Sequence, residues 1–183
     1  MAAGRADAQR NRAHLLDVAA AAFAEDGTTS LNEIAKRAGV GAGTLYRHFP
    51  TREALILAVY QHDISRLVDS VEAMLAAYPG DPLAALRAWY IQLANYVRLK
   101  HGLGEALHTA AARAVIDESH APVAAATATL LDACAAVGAV RPGLDPADVM
   151  QLMGFLWRVS DDPRGRAQAD RLLDLAIDAL RPR

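Results

Sequence analysis

Between Ser30 and Pro50 the chain reads "SLNEIAKRAGVGAGTLYRHFP", and no other stretch narrows the choice of fold as much. Leu31, Ile34, Ala35 and Ala38 recur at the spacing that lines one face of an α-helix. Ser30 followed by Glu33 is a capping-box pattern, in which the hydroxyl accepts from the Glu33 backbone N–H and the carboxylate reaches back. Gly39 closes that helix, and a second short one, about residues 42–48, ends near Phe49-Pro50. Closely spaced glycines such as Gly39, Gly41 and Gly43 often mark backbone brought near a phosphate, and two kinds of phosphate compete here. A nucleotide-binding glycine loop needs a strand before it, and a P-loop needs Gly-Lys-Ser/Thr. Here helix-spaced residues precede the glycines, and Gly43 is followed directly by Thr44, so both nucleotide readings fail. Two short helices joined by a tight glycine turn form instead a helix-turn-helix. In that arrangement Ala35 is small where the helices cross, and Gly39 takes a positive φ at no steric cost. Val40, Leu45 and Phe49 supply the apolar underside of the second helix, which leaves its other face for a major groove. The phosphate is expected to be that of DNA.

The same punctuation divides the remaining chain into helices. A first segment covers about residues 8–26, with Leu15, Leu16, Ala19, Ala22 and Phe23 at helical spacing and Gly27 past its end. Thr51 is an N-cap with Glu53 at the positive end of the helix dipole, and that helix is expected to run to about Ala77. Asp81-Pro82 starts another, with a stripe at Leu83, Leu86, Tyr90, Leu93 and Val97. Residues 102–118 are weakly patterned and predict a short helix with irregular flanks; an Ala-rich helix is expected from about Ser119 to Val137, stopped by Gly138. Asp145-Pro146 and Asp162-Pro163 cap the last two helices. Strand-like alternation, repeats and low-complexity tracts are absent from the sequence. The 183-residue chain therefore predicts an all-α fold of about nine helices, with a helix-turn-helix DNA-binding domain over 1–55 and a helical domain over 56–183. Abundant Ala and few β-branched or aromatic residues agree with that choice.

Charge separates the two parts. Residues 1–52 hold seven Lys/Arg against five Asp/Glu, a net of +2, while the remainder is net −4. A basic head on an acidic body points to an anionic partner for the head alone. Arg5, Arg10 and Arg12 read either as a solvated tail or as an arm reaching DNA. No apolar run approaches the roughly 20 residues that span a bilayer, and the N-terminus lacks the apolar centre of a secretory signal. A cytoplasmic protein with no membrane partner is expected. Cys134, the single cysteine, reads as a small core residue with no basic neighbour in sequence to activate it. His101 and His108 lack an evident third ligand, so no metal site is expected, and nothing calls for a cofactor. Glu105 with His108, and Asp117 and Glu118 with His120, are acid–base residue types outside any recognisable catalytic spacing, so the chain is not expected to be an enzyme.

The stretch "TTSLNEIAKRAGVGAGTLYRHFPTREALILAVY", Thr28–Tyr60, resembles the N-terminal domain of the TetR/AcrR family of transcriptional repressors. The resemblance rests on Ile34-Ala35, Ala38-Gly39-Val40, Gly43-Thr44-Leu45-Tyr46, His48-Phe49 and Glu53-Ala54-Leu55, and covers about the first third of the chain. It implies a homodimer on a palindromic double-stranded operator and release of the DNA when a small-molecule effector binds the helical body. Tyr46 and His48 resemble the family's phosphate-contacting pair. Thr44 and Arg47 lie on the second helix, Thr51 and Arg52 at the start of the next, and Thr29 near the DNA backbone. Gly41 stands where the family usually has a Ser or Thr cap, and Ala42 and Gly43 offer little to read base edges, so DNA shape is expected to carry much of the readout. The same Gly41-Ala42-Gly43 run leaves open an adaptor of this fold without DNA binding.

The resemblance also implies where effector and partner subunit bind. The effector pocket is expected among Leu67, Val71, Met74, Leu86, Trp89, Tyr90, Leu93, Leu107, Leu130 and Phe155, apolar walls suited to a hydrophobic or amphipathic molecule. The last two helices have wide apolar surfaces, and on the first of them Val149, Met150, Leu152, Met153, Leu156, Trp157 and Val159 cover more than one stripe, a surplus that suggests a second partner. Val149, Met153, Leu156, Trp157, Leu172, Leu173, Ala176 and Leu180 are the expected dimer contacts, and burial inside the protomer is the competing reading.

Overall fold

Capping residues decide where most of the helices begin. The computed structural model describes residues 2–102, 110–160 and 162–182. Nine α-helices lie among the described residues: α1 Ala2–Glu25, α2 Leu31–Arg37, α3 Ala42–His48, α4 Arg52–Asp69, α5 Val71–Ala77, α6 Pro82–Gly102, α7 Ala110–Ala136, α8 Pro146–Leu152 and α9 Pro163–Leu180. Ser30 Oγ accepts from Glu33 N at 3.2 Å, Thr51 Oγ1 from Ala54 N at 3.1 Å, and Asp81 Oδ1 from Ala84 N at 3.0 Å. Asp145 and Asp162 do the same at α8 and α9, each followed by a proline in the first turn. Caps of this kind contribute about 1 kcal/mol each.

Glycine ends two helices in matching fashion. Gly39 has φ +67°, its N–H reaches Lys36 O at 3.1 Å, and the Val40 N–H reaches Ala35 O at 3.0 Å. Gly138, with φ +70°, repeats the pattern at the end of α7 through Ala135 O and Cys134 O. This is the Schellman arrangement, which a side chain at the glycine would strain.

Three helix boundaries differ from the sequence expectation. α1 begins at Ala2 instead of about residue 8; Ala2, Ala3, Ala6, Ala8 and Ala13 favour helix and no proline interrupts it, which offsets the cost of Gly4. The long helix expected to reach Ala77 is broken at Ser70, whose hydroxyl donates to Leu67 O at 2.7 Å and whose N–H tightens onto the same carbonyl. α7 starts at Ala110, not near Ser119, and runs through Pro122; its alanine content outweighs the one backbone donor lost there. Beyond α8 the chain narrows into a 3₁₀ turn over Met153–Trp157, which packs on α9.

The described residues form two compact units, one drawn from Met1–Asp63 and Leu99–Ile116, the other from Ile64–Arg98 and Asp117–Arg183. In the first, Leu15, Leu16, Ala19 and Phe23 of α1 meet Leu31, Ile34 and Ala35 of α2, Leu45 of α3, Phe49, and Leu55, Ile56 and Val59 of α4. Full burial of one such Leu, Ile or Phe stabilises by about 1.5–3 kcal/mol. The second unit is centred on Leu67, Leu86, Trp89, Tyr90, Leu130, Met153 and Leu156, each essentially removed from solvent. None of the helices among the described residues is long and apolar enough to cross a membrane.

Candidate nucleic-acid interface

The first unit presents α3 by burying only its underside. Leu45 is fully buried and Phe49, at the C-cap, nearly so, whereas Gly41, Ala42, Gly43, Tyr46, Arg47 and His48 are exposed. Tyr46 is 43% exposed, high for an aromatic side chain that the core could have absorbed. Arg47 Nη2 donates to Thr44 Oγ1 at 3.1 Å, which steadies the guanidinium along the outer face of α3. Gly41 caps α3 with an extended backbone and no side-chain bond. A Cβ built on Gly43 meets nothing within 4 Å, so the start of α3 offers bare backbone to an approaching surface.

Three of the residues matched to the DNA interface also hold the head together. Thr29 is buried, and its hydroxyl donates to Asp26 O at 2.8 Å and Ala22 O at 3.2 Å, holding the α1–α2 turn. Arg52 donates from one guanidinium to Thr29 O and Gly27 O and lies 4.8 Å above the Phe23 ring. That side chain fastens the start of α4 to the turn leaving α1. Thr51 uses its hydroxyl as the α4 cap. Asp26 completes the turn: the Thr28 backbone N–H and then its hydroxyl hold the carboxyl below the ordinary Asp value. The capping box at α2 is half made, since Glu33 turns away from Ser30 and pairs with Arg37 at 3.1 Å. Arg37 also bonds Glu25 at 2.7 Å, so its charge ties α2 to α1.

Arg12 is the contact that sequence spacing did not resolve. Its guanidinium lies 5.6 Å from the centroid of the Phe49 ring, which brings α1 beside the C-terminal end of α3. The one sequence signal was an Arg-rich start to the chain, and nothing in that pattern pointed to Phe49.

In the second unit the expected pocket residues Leu67, Val71, Leu86, Trp89, Tyr90, Leu93 and Leu130 come together as buried side chains, with Met74 and Phe155 half-buried. Leu107 lies outside the described residues. The cluster includes a buried hydroxyl pair: Tyr90 Oη sits 3.4 Å from Thr127 Oγ1, and both residues are fully buried. Trp89 Nε1 donates to Leu67 O at 3.1 Å and packs edge-on against Tyr90. Burial pushes the Tyr90 phenol up to about 12, so it remains a neutral hydrogen-bonding group. Burial likewise raises the Cys134 thiol to about 11, with Asp81 adding to the effect, which agrees with a core role. Two open clefts flank this core. One of about 280 Å³ is walled by α6 and α9 around Arg87 and Asp174, and one of about 180 Å³ lies around Asn95, Arg166 and Asp170.

The expected dimer contacts Val149, Met153, Leu156, Leu173, Ala176 and Leu180 are buried within the protomer itself, and Leu172 is half-buried. The Trp157 side chain lies outside the described residues. The large apolar side chains left in the open on α8 and α9 are Leu152, 44% exposed, and Leu175, 66% exposed. The surplus stripe read from sequence is thus largely consumed by the protomer's own core. No group of three His, Cys, Asp or Glu among the described residues is placed to hold a metal ion.

Residues 15–59 match the family model for bacterial regulatory proteins of the tetR family, and residues 81–182 match that for the SbtR-like transcriptional regulator C-terminal domain. The chain belongs to the TetR family. A crystal structure of the TetR transcriptional regulator SCO0520 from Streptomyces coelicolor is 42% identical, covering 93% of this chain and 98% of that one, with a TM-score of 0.78. The TetR regulatory protein of Mycobacterium vanbaalenii is 34% identical over 97% of this chain and 99% of its own, with a TM-score of 0.73. The HTH-type regulator AcrR of Shigella flexneri is 41% identical over 83 residues, 44% of this chain and 39% of that protein. The chain thus spans about two-fifths of that curated relative. This TetR-family regulator carries its family's all-α architecture, with the helix-turn-helix at its N-terminal end.

Proposed function

We propose that this TetR-family protein is a ligand-responsive repressor that binds a palindromic DNA operator as a homodimer. The observation that carries the reading is the two-sided character of α3: Leu45 and Phe49 are sealed in the core, while Tyr46, Arg47 and His48 stand in solvent. A phenol, a guanidinium and an imidazole on one short helix suit phosphate contacts, and the small residues before them suit close approach to a groove. Functionally, residues 1–55 would bind DNA, and residues 56–183 would bind effector and partner subunit. Tyr46, Arg47, His48, Thr44 and the Gly41–Gly43 backbone make up the contact surface in this reading. Thr51 and Arg52, at the start of α4, and Thr29 complete it while also holding the turn and the helix start in place.

In the dimer the heads enter successive major grooves about 34–36 Å apart. The subunit contact runs through the apolar groups that α8 and α9 leave open, Leu152 and Leu175, flanked by Leu172 and Phe155. The effector is a modest hydrophobic or amphipathic molecule bound in the body, with the Tyr90–Thr127 pair as the polar point that orients it. It releases DNA to the extent that it binds one head spacing better than the other.

Footprinting of the purified protein on the DNA flanking its own coding region tests the reading, with the complex mass measured by light scattering. Two protected half-sites about one helical turn apart, occupied by two chains, are expected. Leu175→Arg is expected to give monomers that no longer protect the site at the same concentration. A monomeric wild type that protects a single unpaired site would contradict the dimeric operator.

A further inference from the structure

The cations of the first unit differ in how their charge is used. Arg10 pairs with Asp7, Arg37 is shared by Glu25 and Glu33, and Arg52 is spent on two backbone carbonyls. Arg12 has no such partner: it is exposed, no carboxylate among the described residues pairs with it, and its contact is the face of the Phe49 ring. An aromatic face orients a guanidinium without neutralising it, leaving its N–H donors available. Phe49 directly follows Tyr46, Arg47 and His48 in sequence, and its ring lies 6.2 Å from that of His48. The stacked cation therefore stands beside the exposed end of α3. A long, flexible arginine left loose would lose rotamer freedom on binding, whereas one already seated on an aromatic ring loses less.

We propose that Arg12 is a phosphate-contacting residue of the DNA interface, held in place by Phe49, so that α1 and α3 grip the duplex backbone together. The proposal rests on the DNA-binding reading above and extends it to a residue on α1. Because a phosphate contact carries no sequence information, its removal weakens selected and unrelated DNA alike.

The test is fluorescence anisotropy on two duplexes, the segment flanking the protein's own coding region and a scrambled sequence of equal length. Wild type, Arg12→Gln, Arg12→Lys and Tyr46→Ala are compared, each with a salt titration and a thermal unfolding curve. One phosphate contact contributes about 0.9 to the slope of log affinity against log salt. For each head engaged, Arg12→Gln is expected to flatten the slope by about that amount. The affinity lost between about 50 and about 200 mM salt then shrinks about 3.5-fold per head. Arg12→Lys keeps the wild-type slope, since the charge remains, and all Arg12 variants melt close to wild type. An unchanged slope in Arg12→Gln overturns the proposal, as does a loss of binding that tracks only a lowered melting temperature. Either result leaves the DNA reading intact when wild type binds with a steep slope and Tyr46→Ala does not bind. A wild type with no salt-sensitive binding to either duplex removes both.

Discussion

Gly43→Ala should make this protein more stable and a poorer binder of DNA at the same time. Gly43 is the second residue of α3, is exposed, and has a negative φ, so alanine fits its backbone. The new Cβ meets nothing within 4 Å, so no packing is disturbed. Replacing glycine by alanine at such a site restricts the unfolded chain and favours helix, worth roughly 0.4–1 kcal/mol. In a chain of this size that amounts to a rise of about 1–4 °C in melting temperature. The open space that makes the methyl harmless to folding is, in the proposed reading, the space that the DNA groove occupies. A methyl there holds α3 off the duplex and weakens contacts each worth about 1–3 kcal/mol, or roughly 5- to 150-fold in affinity for one such contact. Circular dichroism melting and anisotropy on one preparation read both effects. A lowered melting temperature would refute the open-space argument, and unchanged affinity would refute the assignment of this face to DNA.

Arg52→Ala should lower stability by about 1–3 kcal/mol through the loss of its two carbonyl bonds and its stacking on Phe23, measured by urea unfolding; an unchanged midpoint would refute that fastening role. Gly165→Ala should destabilise by more than about 2 kcal/mol, because its Cβ would collide with the Ser160 carbonyl oxygen, and a melting curve like wild type would refute that close approach. The Asp162 carboxyl is held below the ordinary value of 3.8, first by the Gly165 backbone N–H. A depressed folded value means the cap stabilises above 3.8 and is lost as pH falls through that value and below, so Asp162→Ala should lower the melting temperature at neutral pH and converge with wild type in acid. A gap between the two curves that is constant with pH would count against the cap.

Helix ends were legible in the sequence wherever a side chain or a glycine makes the boundary. Ser30, Thr51, Asp81, Asp145 and Asp162 cap where their types and spacing said, and Gly39 and Gly138 close where a positive φ is needed. The break at Ser70 was not legible, because it depends on which carbonyl one serine hydroxyl chooses. In the head, periodicity separated Leu45 and Phe49 from the outer face, yet it could not say that Thr29 and Arg52 point inward to fasten a turn. Such roles come from contacts between residues far apart in sequence, as does the seating of Arg12 on Phe49. On α8 and α9 an apolar surplus has the same pattern whether it packs on its own protomer or on another. Only the burial of Met153, Leu156 and Leu173, set against the exposure of Leu175, divides the stripe.

Every role proposed for the head depends on the outer face of α3 meeting DNA. Selection of bound fragments from the source genome by wild type and by Tyr46→Ala, sequenced side by side, tests it most directly. Tyr46 is exposed and outside the core, so its loss leaves the fold in place. Wild type is expected to enrich a small set of fragments sharing one palindromic sequence, and Tyr46→Ala none of them. Wild-type protein that enriches nothing, or a Tyr46→Ala variant that recovers the same fragments equally well, would contradict it.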